Sequence, residues 1–105
     1  MAERTIETSI VAMLKQSGFK ILEKSRSGGA SLVTAKKGRL GGKKVAIVIS
    51  TSDDLLITLQ KERELHRKPG FKHKILFTLC ETCEPSFGDI TIIKDPTELG
   101  QALME

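Results

Sequence analysis

Lys36, Lys37, Arg39, Lys43 and Lys44 fall within nine residues, and Lys24 and Arg26 precede them in a stretch, 24–52, that holds no Asp or Glu. Cations at that density without counter-charges are suited to phosphate or to an acidic protein face. Three other groups have types and spacing that bear on chemistry. Cys80-Glu-Thr-Cys83 has the spacing of a redox dithiol or of half a zinc site, and the two histidines, His66 and His73, are the available partners for such an ion. Glu7 is an isolated acid on the first predicted helix.

The elements that carry these residues bear on each reading. If His73 opens the strand that ends at Cys80, seven residues at about 3.3 Å each hold the two side chains roughly 23 Å apart, too far to share one ion. Thioredoxin-like chemistry needs a long helix after the dithiol, whereas Glu84-Pro85 leads into a loop and a short strand. No metal and no cofactor is therefore expected. Within 24–52, the runs Ala30–Ala35 and Val45–Ile49 are short, rich in β-branched residues and bounded by Gly or Lys, so they predict two strands joined by the turn Lys-Lys-Gly-Arg-Leu-Gly-Gly-Lys-Lys.

Ile6, Ile10, Met13 and Leu14 form one apolar stripe over Glu3–Gln16, which predicts a helix ended by Ser17-Gly18. A first strand follows from Phe19, with a break at Ser27-Gly28-Gly29. Ser52 is the expected N-cap of the second helix, with Leu55, Leu56 and Leu59 as its buried half and a charged second half, 60–68, running to Pro69-Gly70. In that half, Glu62 with His66 and Glu64 with Lys68 are spaced for i,i+4 pairs. Lys74–Cys80 and Ile90–Ile93 predict two further strands, and Pro96–Met104 a closing helix with Leu99 and Leu103 inward. The order is α-β-β-β-α-β-β-α: one α/β domain over residues 1–105, a central mixed sheet flanked by helices.

That order, with Glu7 on the first helix, Gly18-Phe19 entering strand one and a Gly-rich bend before strand two, resembles the restriction-endonuclease-like nucleases, and archaeal Holliday-junction resolvases and Mrr-type relatives in particular. The likeness is one of pattern over roughly residues 3–80. In active members of that family an Asp on strand two and a Glu-x-Lys on strand three hold metal, with a helix-one Glu assisting. Carried over, Glu7 matches the helix glutamate, Ser31 stands for the Asp, Val48 for the Glu and Ser50 for the Lys. With no carboxylate from Lys24 to Ser52, the pair that would converge on a divalent ion is missing. The resemblance thus implies a nuclease-like fold without its chemistry, not an enzyme. Such domains serve as DNA binders without cleavage or as protein-interaction modules similar to the N-terminal domain of the TATA-binding-protein-interacting protein.

Charge distribution points the same way. The formal net charge is +4, but 24–52 contributes +7, and the remaining ten basic and thirteen acidic residues give −3. The expected partner is nucleic acid held through its backbone with weak sequence preference, or an acidic protein. Trp and Tyr are absent, which leaves few stacking platforms for single strands. No apolar run approaches a membrane span, the first residues lack a basic-then-apolar pattern, and two cysteines are no disulfide framework, so a cytoplasmic chain without a membrane partner is expected. A homodimer through the strand 90–93 is compatible with the sequence.

Overall fold

The computed structural model describes residues 2–27, 30–38, 42–51, 54–79 and 88–104. Helix α1 (Ala2–Gln16) buries Ile10 and Leu14 completely, with Ile6, Val11 and Met13 packed beside them. Its stripe is the one the sequence periodicity sets. Gly18 ends it at φ +91°, in the left-handed region, and the chain turns so that the Phe19 amide donates to the Leu14 carbonyl at 2.9 Å.

Strand β1 (Lys20–Ser27) leads into β2 (Ala30–Lys37) and β3 (Lys43–Ser50) as an antiparallel meander. Helix α2 (Leu55–His66) then crosses to β4 (His73–Thr78), which runs parallel to β3, and β5 (Ile90–Ile93) lies parallel to β4. A 3-10 turn at Pro96–Glu98 and helix α3 (Leu99–Met104) close the chain. The sheet order is β1-β2-β3-β4-β5, mixed as expected, and the element order is the one the sequence predicts. Six consecutive residues of β3, Val45 to Ser50, are buried, as they must be in a central strand covered on both faces.

Alternation along the strands sorts the core into two halves. Val33, Ala35, Val45, Ile47, Ile49, Ile75, Phe77 and Ile93 share one face with α1 and α3; Ala30, Ala46, Val48, Leu76 and Ile90 share the other with Leu65 of α2. A bulge in β1 sets Leu22 outside the ladder, where it is half exposed, so that Ile21 meets Ala35 and Lys24 meets Val33.

Several local expectations are corrected. The N-cap of α2 is Asp54, whose carboxylate accepts from the Leu56 amide at 2.9 Å; Ser52 lies outside the described residues. Starting the helix there turns Thr58, Glu62 and Leu65 inward at i, i+4 and i+7, while Leu56 is 76% exposed and Leu55 41%. The leucines are therefore not its buried half, and the charged half is not wholly solvated. Glu64 pairs with Lys61 at 3.5 Å, one turn back, rather than with Lys68. The closing helix opens as a 3-10 turn capped by Asp95, which accepts from the Thr97 amide at 2.9 Å. Strand β4 ends at Thr78; Cys80 and Cys83 lie outside the described residues.

Candidate functional site

The turn between β2 and β3 is shorter than the sequence suggests, because Lys36 and Lys37 complete β2 and Lys43 and Lys44 begin β3. Their positions are then fixed by the ladder. Lys36 lies opposite Lys44 and Lys37 opposite Lys43, and on the far side of β2, Lys20 lies opposite Lys36. Three lysine–lysine pairs in register at one sheet end are mutually repulsive, since like charges directly opposed destabilise a ladder. Among the described residues, none of these five lysines forms an ion pair. Arg39 lies outside the described residues.

Alternation divides the five between the faces. Lys37 and Lys43 fall in the same parity as Ala35 and Val45, on the α1 side; Lys20, Lys36 and Lys44 fall with Ala46, on the α2 side. The Lys37 ammonium sits 5.8 Å from the Phe19 ring centroid, a cation–π contact that ties it to the α1 face. Glycine is required at position 42, because a Cβ there would collide with the Lys37 carbonyl as the turn closes.

Besides Lys20, two further residues that sequence patterning missed join this end. The Lys72 amide donates to the Lys44 carbonyl at 3.1 Å, and His73 pairs with Val45. The His73 Nε2 atom is buried with no hydrogen-bond partner. Burial first, then repulsion from Lys43 and Lys72, lowers the His73 pKa from its ordinary value of 6.5. Only the parallel β3–β4 register brings these residues to the hairpin, and nothing in their own sequence neighbourhood signals it.

Farther along the same end, charge is neutralised. Asp89, just before β5, meets His66 Nδ1 at 2.8 Å and Lys74 Nζ at 3.3 Å, and Lys74 also donates to the His66 carbonyl at 2.7 Å. The His66 hydrogen bond chiefly, with Lys74 adding to it, lowers the Asp89 pKa. This cluster fastens the C-terminal turn of α2 to β4 and β5. Lys74 is thereby paired with a carboxylate, which among the described residues the lysines of β2 and β3 are not.

Lys24 and Arg26 lie elsewhere. β1 does adjoin β2, but Lys24 faces Val33 and Arg26 faces Ser31, which places them roughly 10 Å and 17 Å along β2 from Lys36. Arg26 is bound to Glu7 at 2.8 Å. Of the four nuclease-like positions, Ser31 shares a face with Ile49 by pairing, whereas Val48 and Ser50 belong to the opposite, α2 face. The Ser50 hydroxyl is buried without a partner. These four positions do not converge, and no three His, Cys, Asp or Glu side chains gather into a metal-binding group among the described residues.

A cavity of about 170 Å³ lies between α2 and the sheet, bordered by Ser25, Leu32, Val48, Lys61, Leu65 and Lys68. It is below the usual size of a small-molecule site. No helix among the described residues is long and apolar enough to cross a membrane. No family model, no curated protein and no solved structure matches this chain.

Proposed function

We propose that the chain is a non-catalytic nucleic-acid-binding module on a restriction-endonuclease-like fold, and that it binds through the basic end of its sheet. The observation that carries this reading is the set of register pairs Lys20–Lys36, Lys36–Lys44 and Lys37–Lys43, uncompensated by any ion pair among the described residues. Repulsion built into the ladder is relieved when polyanionic phosphate sits against it, and each lysine so neutralised releases a condensed counterion. Lys72 adds to the same end, and Lys24 and Arg26 lie outside it.

Catalysis is not supported by the residues present. Phosphodiester hydrolysis of the family type needs carboxylates converging on metal; none occurs from residue 24 to 52, and Glu7 is held by Arg26.

The test is binding of a labelled nucleic acid across a salt series, with the double variant Lys43→Glu/Lys44→Glu beside the native chain. The native protein binds with a steep negative dependence on salt, and the variant binds more weakly with a flatter one. Equal binding by both overturns the placement of the interface. Absence of binding at low salt overturns the reading and favours an acidic protein as the partner.

A further inference from the structure

β1 is the margin of the sheet, paired with β2 on one side and, among the described residues, with no strand on the other. Glu23, Lys24, Ser25 and Arg26 are exposed in succession, so this margin is uncovered on both faces as well as along its edge. Helix α2 packs over β3, β4 and β5 and leaves Glu23 and Ser25, on the α2 side of β1, in solvent. An edge strand presents unpaired N–H and C=O groups and is commonly guarded by charge or by a bulge. Here the bulge lies between Ile21 and Glu23, and from Glu23 to Ser27 the ladder is regular.

Two hollows flank that edge. On the α2 side, the cavity of about 170 Å³ lies over Ser25, Leu32 and Val48, which are opposite one another in three adjacent strands, with Leu65 beside them and Lys61 and Lys68 at its rim. It is small for a free ligand but close to the ~150 Å³ apolar cavity that accepts a benzene ring, so it fits one leucine or aromatic side chain. Ser25, the outermost of the three, is small enough to let a side chain from beyond the edge pass over it. On the α1 side, a hollow of about 390 Å³ is bordered by Glu7, Thr8, Lys24 and Arg26. Glu7 is taken by Arg26 at 2.8 Å, whereas Lys24 forms no ion pair among the described residues.

A strand added to β1 alternates its side chains between these two hollows. Main-chain hydrogen bonds to the edge supply affinity, and pockets for alternate side chains supply selectivity. A second copy of β1 does not suit. An antiparallel pair that keeps the faces sets Glu23 against Glu23, Lys24 against Lys24, Lys24 against Arg26 or Arg26 against Arg26, according to the residue on which it is centred. An acidic strand meets Lys24 favourably instead.

We propose that the β1 edge docks an extended segment of another protein, with an acidic residue facing Lys24 on the α1 side and, next to it in sequence, a leucine or aromatic residue entering the cavity beside Ser25 on the α2 side. This goes beyond the nucleic-acid-binding reading and does not depend on it, since Lys24 lies roughly 10 Å along β2 from the basic end.

A displayed library of random ten-residue peptides, selected on the unmodified protein, tests it. Enriched sequences carry Asp or Glu adjacent to Leu, Phe, Tyr or Trp, and amide hydrogen exchange in β1 slows when a synthetic peptide of that pattern is bound. Ser25→Trp closes the mouth of the cavity at an exposed position and weakens that peptide by about tenfold or more, the loss expected for one buried apolar side chain. Selection on Lys24→Glu, also at an exposed position, exchanges the acidic preference for Lys or Arg. Lys43→Glu/Lys44→Glu binds the peptide as the native chain does. No enrichment, an enriched set without the pattern, or equal affinity for Ser25→Trp overturns the proposal. Peptide binding lost in Lys43→Glu/Lys44→Glu and kept in both β1 variants overturns it as well, by moving peptide recognition to the basic end.

Discussion

His73 is a residue whose chemistry is altered by where the fold puts it. The ring opens β4 beside Val45 with Nε2 buried and unpartnered, and burial, Lys43 and Lys72 all disfavour its charged form. Its folded pKa lies below the 6.5 of the unfolded chain, so between those values the unfolded state binds a proton that the folded state refuses. The stability contributed by neutral His73 is fully present above pH 6.5 and is lost as pH falls through that window. Urea midpoints measured at pH 7.5 and 5.5 therefore drop for the native chain and drop less for His73→Gln; an equal drop in both assigns the dependence to other groups. By NMR titration, Lys43→Gln moves the His73 pKa back toward 6.5. Arg26 is the contrasting case. It is more than half exposed and its ion pair with Glu7 lies away from the basic end, so Arg26→Gln costs under about 1 kcal/mol and leaves the proposed nucleic-acid binding unchanged.

At the scale of elements, register decides what composition cannot. The sequence showed that lysines crowd the β2–β3 connection but not that they oppose one another, because opposition depends on where the ladder stops and the turn begins. Lys44→Glu converts the Lys36–Lys44 pair into an attractive one, which stabilises the sheet by a few tenths of a kcal/mol. The same change places a carboxylate where phosphate is proposed to sit, so stability rises while affinity falls; a fall in both ties Lys44 to folding instead. The second helix carries a related lesson. Its leucines suggested the buried stripe, yet Asp54, one of three consecutive residues able to cap, fixed the phase and turned Thr58, Glu62 and Leu65 inward. Asp54→Ala removes the cap and costs about 1 kcal/mol, seen as a melting temperature lower by roughly 5 °C for a domain of this size; no change would mean that another group satisfies the Leu56 amide.

For the whole molecule, topology was legible and the location of charge was only partly so. β-branched runs at Ala30–Ala35 and Val45–Ile49, the stripe of α1 and the near-continuous apolar run of β4 fixed the order of elements, because each is a local signal of period or length. Lys20, Lys72 and His73 could not be assigned to the basic end from sequence, since strand pairing alone brings them there, and the same pairing carries Lys24 and Arg26 away. Pairing also bears on metal chemistry: Ser31 lies on one face and Val48 and Ser50 on the other, while Glu7 is engaged by Arg26. The proposed binding is one of lysine to phosphate and calls for no divalent ion between them. On that proposal, replacing magnesium by a chelator at matched ionic strength leaves nucleic-acid affinity unchanged, and supercoiled plasmid incubated with magnesium or manganese stays intact. Metal-dependent nicking that co-purifies with the chain and is lost in Glu7→Gln would assign it a catalytic carboxylate and overturn the non-catalytic reading; nicking unaffected by that change would come from a contaminant or from carboxylates elsewhere, which a mass-verified preparation separates.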